Sequence, residues 1–286
     1  MTLHGGAGAR PAAPVGTITV GPAFSLTGLG AITFLNPTIL CLSLGTDSLQ
    51  KPIYHLRLSP YTPALNSYRR VEAAVIIPPS GGSDERFLHL LDRVEDESTR
   101  IGLKPVMRED GSALYALSYL YTALHSSRER EIVALDLGAG IGYSTLWIAR
   151  GIEEACIGRC RVVAVEWEES RYHRLRMVLS EAGLRSIELE AVHADALKYL
   201  MDLPDESIDM AFVDVEKGLY PLVLRTLEDK LRYSGVAVFH NVFYPKPSEM
   251  FLETARRWPW KTTIVPTRLG LLVAVKMGSG AREAGL

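Results

Sequence analysis

Residues 132–144 read IVALDLGAGIGYS. An apolar run of strand length stops, glycines recur at 138, 140 and 142, and the helical pattern of YSTLWIARGI follows. That order is the strand–turn–helix corner of an α/β sheet. Glycines there let the backbone approach a ligand closely, beside the positive end of the following helix. Alone, the corner is ambiguous: it also serves as a plain turn or a dinucleotide site.

The surrounding chain repeats the unit. RVVAVEW is a strand, and RYHRLRMVLSEAG a helix ending at Gly183, a residue suited to closing it. IELEAVH is a strand, and DALKYLM a helix with Asp195 as its N-cap. IDMAFVDV and GVAVFH are strands, each followed by a helix, YPLVLRTLEDKL and SEMFLETARRW. KTTIVPT and LGLLVAVKM close the chain as two strands whose short connection makes them antiparallel. Upstream, DERFLHLLDRV places Phe87, Leu90, Leu91 and Val94 on one helical face, and SALYALSYLYTALHS predicts a second helix. Alternating strands and helices of this length predict a doubly wound, mostly parallel seven-stranded sheet with a C-terminal antiparallel pair.

The first part differs. Residues 1–83 are rich in Gly, Pro, Thr and Ser, with short β-branched runs (TITV, AAVII) and a linker signal, PPSGGS. We expect a β- and loop-rich extension over 1–83 and the α/β domain over 84–286.

Composition narrows the function classes. A chain of 286 residues, 47% hydrophobic, buries a sizeable core. Its net charge of −2 gives no pull toward nucleic acid or anionic membranes, and no base-flipping Asn/Asp-Pro-Pro-aromatic motif follows the fourth strand. Residues 11–46 carry no charge, yet Pro and Gly interrupt them and no run of about 20 apolar residues survives. Three cysteines fit a reducing cytoplasm. For Cys156 and Cys160, two small partly buried residues are the favoured reading over a disulfide or half of a zinc set. The expectation is a soluble cytoplasmic protein acting on a small molecule, with the extension a lid, a homodimer element or a poorly ordered segment.

Glu166 ends the second strand, roughly 20 residues beyond the glycines, where a carboxylate can accept from ribose hydroxyls. That suits NAD and S-adenosylmethionine alike. The alternating glycines and the antiparallel end favour S-adenosylmethionine, and Asp195, after a third strand, suits an adenine amino group.

With these residues, 84–277 resembles the class I S-adenosylmethionine-dependent methyltransferases, and within them the cation-dependent O-methyltransferases of the catechol and caffeoyl-CoA type. LDLGAGIGYSTLWIA is similar to that family's first cofactor motif, VVAVEWEESR to its ribose strand, and KPVMREDGSALYAL to the segment before the first strand, where Gly111 would begin a helix. The resemblance implies a Rossmann-like fold and cofactor contacts from Val106, Asp136, Gly138, Gly140, Gly142, Tyr143, Ser144, Glu166, Trp167, Asp195 and Asp214. FVDVEKGLY matches the family's Asp, Lys and Tyr at Asp214, Lys217 and Tyr220, implying a cation ligand in Asp214 and a base in Lys217. A cation on the acceptor oxygen would lower its pKa.

The family's following Asp-Asn pair is His240-Asn241 here. Losing a carboxylate weakens a Mg²⁺ or Ca²⁺ site, whereas imidazole suits Mn or another transition metal. Three readings stay open: an Asp214–His240–Asn241 metal site, His240 as a general base without metal, or a decayed site on a cofactor-binding fold. A nicotinamide-dependent oxidoreductase and a non-catalytic cofactor-binding protein are the competing classes. Glu216 is expected to face solvent.

Overall fold

The computed structural model describes residues 32–36, 39–42 and 82–278. The chain divides into two units, Met1–Ala74 and Val75–Leu286. In the first, β1 (Ile32–Asn36) and β2 (Ile39–Leu42) form an antiparallel pair, Ile32 opposite Leu42. TITV and AAVII lie outside the described residues.

The second unit begins with α1 (Gly82–Arg100), which starts inside the PPSGGS stretch. Phe87, Leu90, Leu91 and Val94 are all buried. Then come α2 (Arg108–His125), β3 (Ile132–Leu137), α3 (Tyr143–Ala155), β4 (Cys160–Glu166), α4 (Glu169–Glu181), β5 (Glu188–His193), α5 (Ala196–Asp202) and β6 (Ile208–Val213). After a short 3₁₀ turn at Lys217–Leu219, α6 (Tyr220–Lys230), β7 (Leu231–Phe239), α7 (Glu249–Ala255), β8 (Trp260–Val265) and β9 (Leu271–Lys276) complete the chain.

The sheet order is β5-β4-β3-β6-β7-β9-β8, with β9 antiparallel to both its neighbours and the other pairs parallel. This is the expected doubly wound sheet. Every residue of β3 and of β6 is buried, as two covered faces require, while the edge strand β5 is only half-buried. Close helix packing has a sequence cause: Gly151 lies so near α2 that a β-carbon there would sit 2.4 Å from the Tyr115 carbonyl. Strand order reverses between β3 and β6, and ligands of open α/β sheets bind beyond the carboxyl ends of the strands at such a reversal.

Cys156 and Cys160 form a disulfide joining the end of α3 to the start of β4. This corrects the expectation of two unlinked small residues. The chain leaves a helix and enters a strand within four positions, and that reversal brings the sulfurs together. Among the described residues no helix is long and apolar enough to cross a membrane.

Candidate functional site

The carboxyl ends of β3, β4, β6 and β7 carry the polar residues that the pattern singled out. Asp136 is fully buried in β3. Its Oδ2 accepts from Ser144 Oγ (2.8 Å) and Thr145 Oγ1 (2.6 Å) at the start of α3. Its Oδ1 has no partner among the described residues. Burial pushes this carboxyl up to about 7; the two hydroxyls pull it down, and Asp214 and Glu166 add like-charge repulsion. A positive charge delivered to Oδ1 would relieve both burial and repulsion.

The glycine turn serves the protein's own packing as much as a ligand. Gly138 has φ +93°, and a β-carbon on it would lie 2.4 Å from the Asp214 carbonyl. At Gly142, φ +102°, a β-carbon would meet Leu175 of α4 at 2.9 Å. Gly140 is less crowded, and its N–H donates to Glu166 Oε2 at 2.8 Å. Glu166, buried at the end of β4, also accepts the Glu168 N–H on Oε1 at 2.9 Å. Two amides therefore fix the carboxylate that the sequence assigned to ribose.

Trp167 follows as an exposed indole, 68% accessible, and its carbonyl lies 2.9 Å from His193 Nε2. Tyr172 stacks on His193, with ring centroids 5.0 Å apart. Asp195 is the expected N-cap of α5, accepting the Lys198 N–H at 2.9 Å. Val106 and Tyr143 are buried in the core cluster of α1, α2 and α3, with Tyr143 edge-on to Trp147. Gly111 does not begin a helix. It lies within the first turn of α2, so close under Trp147 that a β-carbon would sit 2.4 Å from the indole nitrogen.

Beyond β6 and β7 the side chains converge. His240 is 2% exposed. Its Nδ1 lies 3.1 Å from Asp214 Oδ2 and its Nε2 3.3 Å from Asp110 Oδ2. Burial alone would lower the pKa of this imidazole, but hydrogen bonds and charge from Asp110 and Asp214 outweigh it and raise it to about 9. Tyr220 Oη donates to the His240 carbonyl at 2.9 Å from beneath, packed against Phe239 and Phe251. Asn241 takes a left-handed conformation, φ +56°, and its buried Oδ1 has no partner among the described residues. Lys217 Nζ donates to the Asn241 carbonyl and, at 2.8 Å, to that of Pro245. Burial lowers the pKa of Lys217, opposed by the attraction of Asp214. Glu216 is exposed, as expected.

Asp110 was missed by sequence reasoning. It stands third in α2 and its Oδ2 also accepts the Met107 N–H at 3.0 Å, so in sequence it looks like an ordinary first-turn acid. The proximity to His240, 130 residues away, leaves no local signal.

Comparison with known proteins agrees with this geometry. Residues 135–242 match a methyltransferase domain family. A protein of Mycobacterium sp. (strain JLS) named "Putative O-methyltransferase" is 28% identical over 131 residues, 46% of this chain and 57% of that protein. The match thus spans little more than half the length of this curated relative. The O-methyltransferase TomG from Streptomyces achromogenes, solved in complex with SAM, is 25% identical with a TM-score of 0.51, covering 66% of this chain and 90% of that one. An O-methyltransferase from Bacillus cereus in complex with SAH, 21% identical with a TM-score of 0.51, covers 70% and 93% and shows the same fold.

Proposed function

We propose, from the premise that this chain is a class I S-adenosylmethionine-dependent methyltransferase, that it transfers a methyl group to a hydroxyl oxygen of a small acceptor. The observation that carries this reading is the pair of carboxylates across the glycine turn. Glu166 is locked by two amides, which suits ribose hydroxyls, and Asp136 turns an unpartnered buried oxygen to the same corner. That orphaned oxygen, on a carboxyl whose pKa burial raises, fits the cationic amino-acid end of the cofactor. Trp167 offers an exposed ring face for adenine, and Asp195 an exposed carboxylate suited to its amino group. When bound, S-adenosylmethionine supplies an electrophilic sulfonium methyl group.

The chain's own residues must hold the acceptor and remove its proton. Lys217 suits the second task. A neutral amine has two N–H bonds, matching its two carbonyl partners, and keeps one lone pair for the incoming proton. Burial already lowers its pKa toward the working range of a base. Asn241 Oδ1 suits a donor on the acceptor, and Met107, Phe243 and Tyr244 are exposed apolar side chains suited to a small flat molecule.

The residues here do not fit the divalent cation that the resemblance implies. His240 stands in place of a carboxylate and brings no negative charge to such an ion, and its Nε2 is taken up by Asp110. Among the described residues no set of three acids, histidines or cysteines is grouped to hold one.

Calorimetric titration with S-adenosylmethionine tests the cofactor reading, and mass-spectrometric detection of methylated products from phenol, catechol and aliphatic alcohol panels tests the transfer. Folded protein that does not bind S-adenosylmethionine would sink the proposal.

A further inference from the structure

We propose that a second small-molecule pocket, toward the amino ends of β3, β4 and β6, takes a compact apolar molecule that carries a carboxylate. None of the residues around it belongs to the cofactor corner or to the Asp110–His240–Asp214 group, so the inference is independent of the functional reading above.

The pocket has a cause in the sequence. Pro204 disfavours a helical residue before it, and Leu203 is extended at ψ 151°, so α5 stops after seven residues, about 10 Å. The strands β3 and β4 run six and seven residues, roughly 20 Å. α5 starts beyond the carboxyl end of β5 and runs back along the sheet, so it ends before it reaches their amino ends. A cavity of about 160 Å³ remains there. Val133, Leu135, Val163 and Ile208 form its floor, each 5% exposed or less.

Strand register puts a cation into that apolar face. Val133 pairs with Arg161 and Leu135 with Val163 in the parallel ladder of β3 and β4, and side chains two apart along a strand share a face. Arg161 therefore rises beside aliphatic neighbours, and its buried Nε has no hydrogen-bond partner among the described residues. Its Nη1 reaches Glu190 only at 3.4 Å. Arg232, also at the pocket, is engaged by Asp209 and by the Glu131 and Glu206 carbonyls. The Glu131 carboxylate lies 3.4 Å from Arg159, and the half-buried Tyr199 adds a phenol to the rim.

An apolar cavity of about 150 Å³ stays dry and accepts a benzene-sized ring. This one has that size, with an unmet N–H in its wall. Its complement is a single ring or short branched chain bearing an anionic oxygen for Arg161. A neutral hydrocarbon would fill the volume and leave the guanidinium unpaired, and a cationic ligand would face two guanidinium groups.

The test is titration of the ¹⁵N-labelled full chain with benzoate, toluene and benzylamine, followed by amide chemical shifts. Benzoate is expected to bind with a dissociation constant on the order of 1 mM or tighter and to shift the amides of Val133, Val163 and Ile208. Toluene is expected to bind at least about tenfold more weakly, and benzylamine not at all. Arg161→Met keeps the apolar stem, and is expected to weaken benzoate about tenfold while leaving toluene unchanged. Val163→Phe fills the cavity and is expected to abolish both. Equal affinity for the three probes, or no benzoate binding at ~10 mM, would overturn the proposal. So would benzoate binding that survives both substitutions or that S-adenosylmethionine displaces. If Val163→Phe does not fold, Arg161→Met and the position of the shifted amides decide.

Discussion

Asp136 has one oxygen satisfied and one not, and that asymmetry has a thermodynamic consequence. Its folded pKa, about 7, lies above the 3.8 of an ordinary aspartate. The folded state therefore binds the proton more tightly, and the resulting stabilisation is complete below about pH 4 and lost as pH rises through 7. Without cofactor, this carboxyl should cost the fold on the order of a few kcal/mol by pH 8. A cation seated on Oδ1 reverses that. We expect the thermal shift given by S-adenosylmethionine to grow from pH 5.5 to 8, and calorimetry in buffers of differing ionisation enthalpy to show proton release near neutrality. Asp136→Asn should weaken binding by about tenfold or more and flatten the pH dependence; an unchanged pH profile in this variant would reject the assignment. The glycines give a second contrast. Gly138→Ala forces a β-carbon into the Asp214 carbonyl at positive φ, so it should cost several kcal/mol or prevent folding, whereas Gly140→Ala, which meets only Leu103 at 3.4 Å, should cost about 1 kcal/mol. Urea melts would rank the two. The spacing made these glycines visible; which neighbour demanded each one was not, because Asp214 and Leu175 come from other elements.

At the scale of elements, the strand–helix alternation was legible because apolar periodicity is strong in each piece. The errors fall where it is weak. α2 begins at Arg108 rather than Ser112 because its first turn, Arg-Glu-Asp-Gly, is polar, and that turn holds Asp110. β7 begins at Leu231, four residues before Gly235, through Arg-Tyr-Ser with Ser234 at φ +64°. The connection after β7 is held from two sides: Val242 and Phe243 N–H groups donate to Gly270 and Leu269 carbonyls, and Lys217 reaches across from the β6–α6 connection. Lys217 is therefore both a clamp and the proposed base, and substitution can separate the two. Lys217→Arg keeps donors for the carbonyls but cannot act as a base near neutral pH. It should preserve amide-exchange protection over 241–245 while abolishing transfer. Lys217→Met should lose both, with about 1–2 kcal/mol of stability. Full activity in Lys217→Arg would remove the lysine from the chemistry.

At the scale of the molecule, the sheet keeps its two ends for different purposes. The carboxyl ends of the strands hold unpartnered or strained groups, namely Asp136 Oδ1, Asn241 at positive φ and the Asp110–His240–Asp214 network. The opposite end holds a satisfied hub. Asp209, fully buried near the start of β6, accepts from the Val133 amide at 2.8 Å and Tyr121 Oη at 3.2 Å, and pairs with Arg130 and Arg232. It ties α2, β3, β6 and β7 together. In sequence it is one acid in an apolar strand, and nothing local marks it as structural while Asp214, five residues on, is marked by its motif. Asp209→Ala leaves two partly buried guanidinium groups and an amide without their acceptor, so it should cost about 3 kcal/mol or more. Because none of its partners lies at the cofactor corner, S-adenosylmethionine affinity measured well below the melting temperature should change by less than about twofold. Urea denaturation and calorimetry on the same preparation give both numbers. A variant that keeps its stability, or that loses affinity while remaining folded, would show that the two ends of the sheet are coupled rather than separate.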